Sequence, residues 1–250
     1  MLLKRLISVL EAVAIAGRPM SASDLHEITG LPLPTCYRLL QMLAEQRLLD
    51  SSEGKSRYVI GERLVRIALL AKTDADVRDI TAPILRETAI EFGEAVFLSR
   101  LRQNGVGIIH VEIPSDPTMS YIHPGLGSRP MHACSCSKVI AAFSDTEFRE
   151  LILSGPMKSY TEHTRTNREQ LEKEFAAIRV AGFAECVEEI EVGISSVAAP
   201  VAVENIGAVF SVGTIGSIRR FKPAKRRALG EKLIAIADKV GTSIEKSNCM

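Results

Sequence analysis

The 250-residue sequence lacks tryptophan, has few aromatic side chains and carries almost no net charge. It also lacks an uninterrupted apolar run of about 18 residues, the length that indicates a membrane-spanning helix, so we expect no membrane association. The net charge is +1, with neither a polybasic tail nor an acidic segment. The cysteines are too few and too scattered for a disulfide framework, which favours a reducing cytoplasm. They are Cys36, Cys134, Cys136, Cys186 and Cys249.

Enough apolar residues are present for a substantial core. Hydrophobic residues make up 46% of the chain and charged residues 24%, and this length suits one large or two modest domains. The apolar start of the chain is similar to a signal peptide, but Glu11 interrupts it. The apolar residues there follow helical spacing instead, at Leu3, Leu6, Leu10, Val13 and Ala14. We therefore predict a first helix.

Residues 21–61 carry the pattern around which the chain is organised, which is two short helices, a tight turn and a hairpin. A helix-start pair, a terminating glycine and two apolar positions define the first short helix: Ser21 with Asp24, Gly30, and Leu25 with Ile28. Pro34 suits the first position of the second helix. Its core-facing residues recur at three- and four-residue spacing, at Cys36, Leu39, Leu40 and Leu43.

The second helix turns a short face of mixed polar character outward, as a helix in a DNA major groove does. That face holds Thr35, Tyr37, Arg38, Gln41 and Glu45. The next segment, residues 48–60, is broken by turn residues at 50–54, and Lys55 and Arg57 follow where a wing would touch phosphate. We predict a winged helix-turn-helix domain over residues 1–62. A generic helical hairpin with a solvated face is the alternative.

The first 60 residues hold seven basic and six acidic side chains, so their net charge is close to zero. Attraction to DNA phosphate must therefore come from basic side chains placed close to the DNA. The basic candidates are Arg18, Arg38, Lys55 and Arg57. The predicted DNA-binding residues are Thr35, Tyr37, Arg38, Gln41, Lys55 and Arg57.

The segment from residue 63 to residue 80 reads as a continuous linker helix. Its apolar stripe is Leu64, Ile67, Ala68 and Ala71. Such a helix serves as a connector or a dimer contact, and a plain solvated helix is the alternative. Pro83 then opens another helix that ends near Gly93.

Residues 81–250 mix hairpins with helices, which favours an antiparallel sheet covered by helices, so the fold class is α+β. Strands are predicted on both sides of an Asn-Gly turn at 103–105, at 119–123, at 195–203 and at 208–212. Helices are predicted over 134–143, 145–153, a segment reaching residue 180, and 223–245. Thr166 with Glu169 forms a predicted capping box for the third of these.

In this order and spacing, short motifs resemble the IclR (isocitrate-lyase regulator) family of bacterial transcription regulators over almost the full length. They are Thr29-Gly30-Leu31-Pro32, Arg38-Leu39-Leu40, Pro130-Met131-His132-Ala133 with Lys138, Gly182-Phe183-Ala184 with Glu188-Glu189, Gly193, and Ala198-Ala199-Pro200-Val201. The resemblance implies a dimer or tetramer whose C-terminal GAF-like domain binds a small metabolite. Two residues depart from the family pattern: Ser137 replaces a usual glycine, and Gly213 replaces the second of two serines.

The segment after His132 places small polar side chains in the first turn of a helix, where unpaired N–H groups and the helix dipole favour an anion. Ser135 and Cys136 would lie beside those groups. By resemblance, Tyr121, Cys186, Ile194, Ser196 and Ser211 would line the same cavity. This set suits a small carboxylic acid, and Gly213 would open space for one bulkier than the smallest acids, such as an aromatic acid against Tyr121. Alternatively, the Ser and Cys residues only pack and cap their own helix.

Two sharper interpretations of this segment are disfavoured. A metal site at Cys134, Cys136 and His132 lacks a fourth ligand at the usual spacing. A thiol enzyme needs a cysteine activated by an oriented histidine, and nothing places one there. We expect no catalytic residue, metal or cofactor, and a packed, hydrogen-bonded His132. The basic run from Arg219 to Arg227 is interpreted mainly as a solvated helix start.

Together these patterns predict a cytoplasmic, effector-responsive regulator of a catabolic operon that senses a small organic acid. As a homodimer or a dimer of dimers, it would place two recognition helices about 34 Å apart, or a multiple of that distance, on double-stranded operator DNA. The alternatives are a small-molecule-binding enzyme with an accessory helical domain and an architectural DNA binder without a ligand.

Overall fold

The computed structural model describes residues 2–51, 56–102, 105–116, 122–203 and 207–247. The chain divides into two compact units, Met1–Lys72 and Thr73–Met250. The helices are α1 Leu2–Ala16, α2 Ala22–Thr29, α3 Leu33–Glu45, α4 Glu62–Ala71, α5 Asp74–Phe92, α6 Ser135–Phe143, α7 Thr146–Ser154, α8 Arg168–Ala181 and α9 Pro223–Lys246. The strands are β1 Met20–Ser21, β2 Leu49–Ser51, β3 Arg57–Ile60, β4 Ala95–Arg102, β5 Gly105–Glu112, β6 Gly127–Ser128, β7 Ala184–Val187, β8 Ile194–Val203 and β9 Gly207–Ser217.

The N-terminal unit has the predicted winged helix-turn-helix elements. Its three-stranded antiparallel sheet has the order β1-β3-β2, and the wing residues 52–55, including Lys55, lie outside the described residues. One core joins α1, α2 and α3 through Val9, Val13, Leu25, Leu39 and Leu40. Burial of these apolar side chains stabilises a unit that is too small to fold on helix propensity alone.

The start and the end of α2 confirm the helix signals at Ser21 and Gly30. The Ser21 hydroxyl accepts from Asp24 N at 3.2 Å, and Asp24 accepts from Ser21 N at 2.7 Å. The Ser21 hydroxyl also donates to the Asp24 carboxylate at 2.6 Å, and this bond, together with the one from Ser21 N, lowers the pKa of Asp24 to about 2. Gly30 ends the helix in the left-handed conformation with φ 69°. Ile28 corrects the prediction, since it is 60% exposed while Ala22 and Leu25 form the buried face. α3 begins at Leu33, one residue before the predicted start at Pro34.

The continuous linker helix predicted for residues 63–80 is wrong, because the chain forms two helices. α4 ends at Ala71, and Thr73 caps α5 by accepting from Asp76 N at 3.2 Å while Asp76 accepts from Thr73 N at 2.9 Å. This capping box starts a new helix where the apolar stripe had suggested continuation. The helix predicted to begin at Pro83 is also wrong, since Pro83 lies inside α5.

The C-terminal unit is built on a six-stranded antiparallel sheet with the order β6-β5-β4-β9-β8-β7. Alternate residues of its strands face opposite layers of helices. Phe97 and Ala198 pack in one core with α6 and α8. On the other face α5 and α9 pack against the sheet, and Gly241 lets α9 approach the backbone at Ala202 closely. The fold is therefore α+β, as predicted.

Several predicted elements differ in detail. Residues 119–121 of the predicted third strand lie outside the described residues, and Ile122 and His123 are not in a strand. β9 runs five residues beyond the predicted end at 212, to Ser217. The cap of α8 is Asn167, which accepts from Gln170 N at 3.3 Å, so the predicted capping box at Thr166 is wrong. β7 was not predicted, because four residues of mixed character give little periodicity.

None of the described helices is both long and apolar enough to cross a membrane.

Candidate functional site: a DNA-reading face and an effector cavity

The outward face of α3 matches the prediction. Cys36, Leu39, Leu40 and Leu43 are buried, whereas Tyr37, Arg38 and Gln41 are exposed and Thr35 is half-buried. The buried stripe fixes the helix on its own unit, so the exposed side chains form a continuous polar surface. A helix held in this way presents its free face to a groove.

The basic side chains near that face differ in how they are engaged. Arg18 forms an ion pair with Asp24 at 3.3 Å, and Arg57 donates to Pro19 O at 3.3 Å. Within residues 2–51 and 56–72, Arg38 forms no hydrogen bond or ion pair. Its guanidinium is thus available for a base edge or a phosphate.

The C-terminal unit contains a cavity of about 210 Å³ on the sheet face that carries α6. Its wall is mostly apolar, and the polar groups stand at a few points. The lining residues are Phe97, Ile108, Ile122, His123, Pro124, Gly125, Arg129, Cys134, Cys186, Ile190, Glu191, Ile194, Ser196 and Ile215.

The structure brings three of the predicted effector residues to the cavity, namely Cys186, Ile194 and Ser196. Tyr121 lies outside the described residues. Ser135 and Cys136 do not line the cavity, because the Ser135 hydroxyl lies behind Ser196, with the two Oγ atoms 2.7 Å apart. Burial of the first turn of α6 in the core therefore corrects the prediction for these two residues.

Ser211 and Gly213 also lie away from the ligand position predicted for them. The Ser211 hydroxyl shares a hydrogen bond of 2.6 Å with Ser99 on the neighbouring strand and is fully buried. At Gly213, a Cβ would lie 2.7 Å from Phe97 Cε2 and 2.6 Å from Val197 O. The ring of Phe97 thus fills the space that the missing side chain was expected to open. The cavity consequently has an aromatic wall that the sequence reasoning did not find.

Arg129 is a further lining residue that was not predicted from the sequence. Its Nη2 donates to Gly125 O, and its backbone N donates to Val106 O at 2.9 Å. Within the described residues, its Nε is buried and has no hydrogen-bond partner. A buried donor left unpaired costs free energy, and a ligand acceptor would remove that cost. Its position directly before the Pro130-Met131-His132 motif was the available sequence signal.

The three cysteines near the cavity differ in acidity. The Sγ atoms of Cys134 and Cys136 lie 3.2 Å apart. The hydrogen bond with Cys136, together with burial, raises the pKa of Cys134. Burial alone would raise the pKa of Cys136, but hydrogen bonds from Cys134, Ser137 and Ser99 lower it. Burial raises the pKa of Cys186 to about 12, so this thiol stays protonated.

A buried ion network supports the cavity wall formed by residues 188–193. Lys138 Nζ lies 2.7 Å from Glu174 Oε1 and 2.6 Å from Glu189 Oε1, and Arg165 approaches Glu189 at 2.9 Å. Burial alone would lower the pKa of Lys138, but the charges of Glu174 and Glu189 raise it. Thr161 and Thr164 donate to the carbonyls of Glu188 and Glu189, both at 2.6 Å. These bonds fix the segment that supplies Ile190 and Glu191.

The other residues considered in the sequence analysis are His132, Ser137 and the basic run near residue 220. His132 is buried, and its Nε2 lies 2.9 Å from Lys158 O, so the expectation of a packed histidine is confirmed. Ser137 is buried and does not line the cavity. In the basic run, Arg226 pairs with Glu185 and Arg220 pairs with Glu94. In the part of the chain that the structure describes, no cluster of three His, Cys, Asp or Glu side chains could hold a metal ion.

A helix-turn-helix unit followed in one chain by a sheet domain with a ligand-sized cavity defines a transcriptional regulator with an effector-binding domain. Two family models match this chain: "IclR helix-turn-helix domain" over residues 2–52 and "Bacterial transcriptional regulator IclR C-terminal" over residues 70–242. The chain belongs to the IclR family of bacterial transcription regulators, and the interpretation as an enzyme is wrong because its relatives are regulators.

Individual relatives agree with this assignment. The glycerol operon regulatory protein of Streptomyces griseus is 30% identical over 224 residues, which is 88% of this chain and 86% of that protein. The transcriptional repressor IclR of Escherichia coli K12 is 25% identical over 95% of this chain and 88% of its own. The crystal structure of the Thermotoga maritima IclR has a TM-score of 0.60 and 23% identity, and the alignment covers 98% and 97% of the two chains. An IclR homologue of Microbacterium hydrocarbonoxydans, complexed with 4-hydroxybenzoate, has a TM-score of 0.57 and 21% identity, covering 98% of each chain.

Proposed function

We propose that this protein regulates a catabolic operon in response to a small aromatic carboxylic acid bound in the cavity of its C-terminal unit. The observation that carries the proposal is the buried, unpaired Nε of Arg129 in a mostly apolar cavity. A guanidinium with a free N–H is the side chain best suited to a carboxylate. Two relatives from Streptomyces are named glycerol operon regulatory proteins, which supports a role in catabolic gene control.

The size and wall of the cavity support a single-ring acid. About 210 Å³ lies below the range of about 300–1,000 Å³ typical of drug-sized ligand sites. Phe97 offers a ring face or edge to an aromatic ligand, while Ile194 and Ile215 cover the remaining apolar surface. Ser196 and His123 are the polar groups available to a ring hydroxyl. Glu191 also lines the cavity, so a carboxylate must sit on the Arg129 side.

Replacing Arg129 by methionine should weaken the binding of 4-hydroxybenzoate about ten-fold or more, because a hydrogen bond to a charged group contributes about 1.5–3 kcal/mol. Isothermal titration calorimetry measures this directly. The methyl ester of the same acid, which lacks the charge, should bind wild type and variant equally. Arg86→Met is the control, since Arg86 pairs with Glu112 and does not line the cavity.

Two results would contradict this placement of the ligand. One is equal affinity of the acid for wild type and Arg129→Met. The other is tight binding of glyoxylate that Ser211→Ala abolishes, which would locate the ligand beneath α6 rather than in the cavity. From the structure, Ser211→Ala should leave the affinity for 4-hydroxybenzoate unchanged.

The proposed partner of the N-terminal unit is double-stranded operator DNA, read by α3 and the wing in a homodimer or a dimer of dimers. Support for the dimer comes from α4, where Ile67 is 51% exposed and Ala68 and Ala71 are also exposed beside a half-buried Leu64. An apolar stripe of this kind is the surface that a second copy would cover. A two-fold dimer requires a palindromic or pseudo-palindromic operator.

Sedimentation velocity tests the assembly. We expect a dimer or tetramer at micromolar concentration, and Ile67→Glu should shift the protein toward the monomer because it places a charge in the contact. Glu87→Lys, at an exposed position of α5, is the control and should leave the sedimentation coefficient unchanged. A wild-type monomer under these conditions would rule out the proposed dimer.

A further inference from the structure

Two thiols in contact lie at the wall of the effector cavity, and binding of an acid does not use them. Cys134 lines the cavity, and its Sγ lies 3.2 Å from the Sγ of Cys136, which is fully buried behind it. Cys186 also lines the cavity and is a free thiol. In the described part of the chain, Cys134 and Cys136 are the cysteine pair in direct sulfur contact.

The geometry needs only a small movement to become a covalent bond. A disulfide has an S–S length of about 2.05 Å, so the two sulfurs must approach by about 1 Å. Cys134 is the residue that caps α6, with extended backbone angles, and Cys136 is in the first turn. The first turn of a helix lacks some of its backbone hydrogen bonds, so it can adjust by this amount.

We propose that Cys134 and Cys136 form a dithiol modification site that a hydroperoxide entering the cavity oxidises to an intramolecular disulfide. Hydrogen peroxide is small compared with a cavity of about 210 Å³. Of the two residues, Cys134 lines the cavity and Cys136 does not, so Cys134 is the one that meets the oxidant. Cys136 is placed to complete the reaction from behind.

The reaction balances when the pair carries one proton. That proton moves from Cys134 to Cys136 across the 3.2 Å contact, and the Cys134 thiolate attacks one peroxide oxygen. The O–O bond breaks, Cys134 becomes a sulfenic acid, and hydroxide leaves. The Cys136 sulfur then attacks the Cys134 sulfur, the S–S bond forms, and the S–O bond breaks. The sulfenic hydroxyl leaves with the Cys136 proton as water. The two sulfurs lose two electrons, which reduce the peroxide.

The surroundings favour ionisation of this pair over ionisation of the third thiol. The lowered pKa of Cys136 arises from its hydrogen bonds with Cys134, Ser137 and Ser99, despite its burial. The positive charge of Arg129 also lowers the pKa of Cys136, and at Cys134 it opposes the rise that the hydrogen bond with Cys136 and burial cause. Cys186 has a pKa raised to about 12 by burial, so it is a poor competitor for the sulfenic acid.

The expected consequence for regulation rests on the proposed function. Ser135 lies between the two cysteines, and its hydroxyl bonds to Ser196 in the cavity wall. Closing the disulfide shifts Ser135 and therefore the wall that the acid contacts. We expect the oxidised protein to bind 4-hydroxybenzoate about ten-fold more weakly, the change that follows from losing a hydrogen-bonded contact.

Mass spectrometry of the full-length protein tests the chemistry separately from ligand binding. The protein is treated with hydrogen peroxide, denatured, alkylated and cleaved with trypsin. The fragment ending at Lys138 contains Cys134 and Cys136 and no other cysteine. We expect this fragment to lose two hydrogens and to take up no alkylating agent. Reducing the oxidised protein with dithiothreitol before alkylation should restore alkylation of both cysteines.

The controls locate the bond. Cys134→Ser and Cys136→Ser must each abolish the loss of two hydrogens, whereas Cys36→Ser, which removes a buried thiol of the other unit, must leave it unchanged. Two free thiols after peroxide, a Cys134–Cys186 bridge, or sulfinic and sulfonic acids would each overturn the proposal. The wild-type fragment decides the outcome even if a variant fails to fold. Failure of 4-hydroxybenzoate to bind the reduced protein would refute the proposed function alone.

Discussion

Replacing Lys138 by methionine is expected to lower the free energy of unfolding by about 3–5 kcal/mol, the usual cost of removing one partner from a buried ion pair. Lys138 is fully buried, and Glu189 is 1% exposed. Methionine fills the volume of the lysine stem but leaves Glu189 and Glu174 without their buried cation. Chemical denaturation monitored by circular dichroism measures the change.

The loss caused by Lys138→Met should depend on pH. Burial raises the pKa of Glu189 even in the presence of the opposing charge of Lys138, and removing that charge raises it further. A folded-state pKa above the unfolded value means that the folded chain binds more protons, so stability falls as pH rises through that range. We therefore expect the variant to be closer to wild type at about pH 5 than at about pH 8. In the wild type, the raised pKa of Lys138 keeps the ion pair in place until alkaline pH.

Lys173→Met is the matched control for this experiment. Lys173 pairs with Glu169 on the surface of α8, with both side chains about three-quarters exposed, so its removal should change stability little. If Lys138→Met were as stable as Lys173→Met at neutral pH, the ion network would not be the element that holds residues 188–193 in place.

Replacing Arg38 by alanine is expected to weaken operator binding without lowering the melting temperature. A bidentate arginine contact with guanine is worth about 1–3 kcal/mol, and a two-fold dimer loses two of them, so the dissociation constant should rise about 30-fold or more. The melting temperature should not change, because Arg38 is exposed and forms no ion pair or hydrogen bond within residues 2–51 and 56–72. Fluorescence anisotropy with DNA selected from a random pool gives the affinity.

Two comparisons give this experiment its meaning. Arg86→Ala makes the same change in charge in the other unit and should leave DNA affinity unchanged. Measurements at several salt concentrations separate a base contact from a phosphate contact, since loss of a phosphate contact reduces the salt dependence of binding. A variant that melts earlier would show that Arg38 braces α3 within its own unit, contrary to the expected role.

Elements whose side chains repeat regularly were predictable from the sequence. α3 and α9 have apolar positions at helical spacing, and β4 and β5 lie close to the bounds predicted for the two strands of their hairpin. The break between α4 and α5 was present as a capping box at Thr73 and Asp76, but the apolar stripe masked it. A capping box favours the start of a new helix, whereas a continuing apolar stripe favours one long helix. The sequence alone does not show which of the two determines the structure.

The cavity was less predictable, because it depends on which residues meet across strands. Phe97 faces Gly213, and Ser99 faces Ser211, only through the antiparallel register of β4 and β9. That register buried Ser211 in a hydrogen bond and placed an aromatic ring where open space had been expected. The feature that distinguishes Arg129 is a buried Nε without a hydrogen-bond partner among the described residues. The sequence does not show which arginines have such an environment.

The contact between Phe97 and Gly213 also constrains which side chains position 213 can acquire. The two residues form an epistatic pair, because a serine introduced beside the present ring has no room, while glycine tolerates a ring or a smaller side chain. A laboratory route that adds a hydroxyl at position 213 must therefore shrink residue 97 first. It must also let the strand at Val197 move, because the carbonyl oxygen of Val197 lies 2.6 Å from the Cβ position and remains there whatever stands at residue 97.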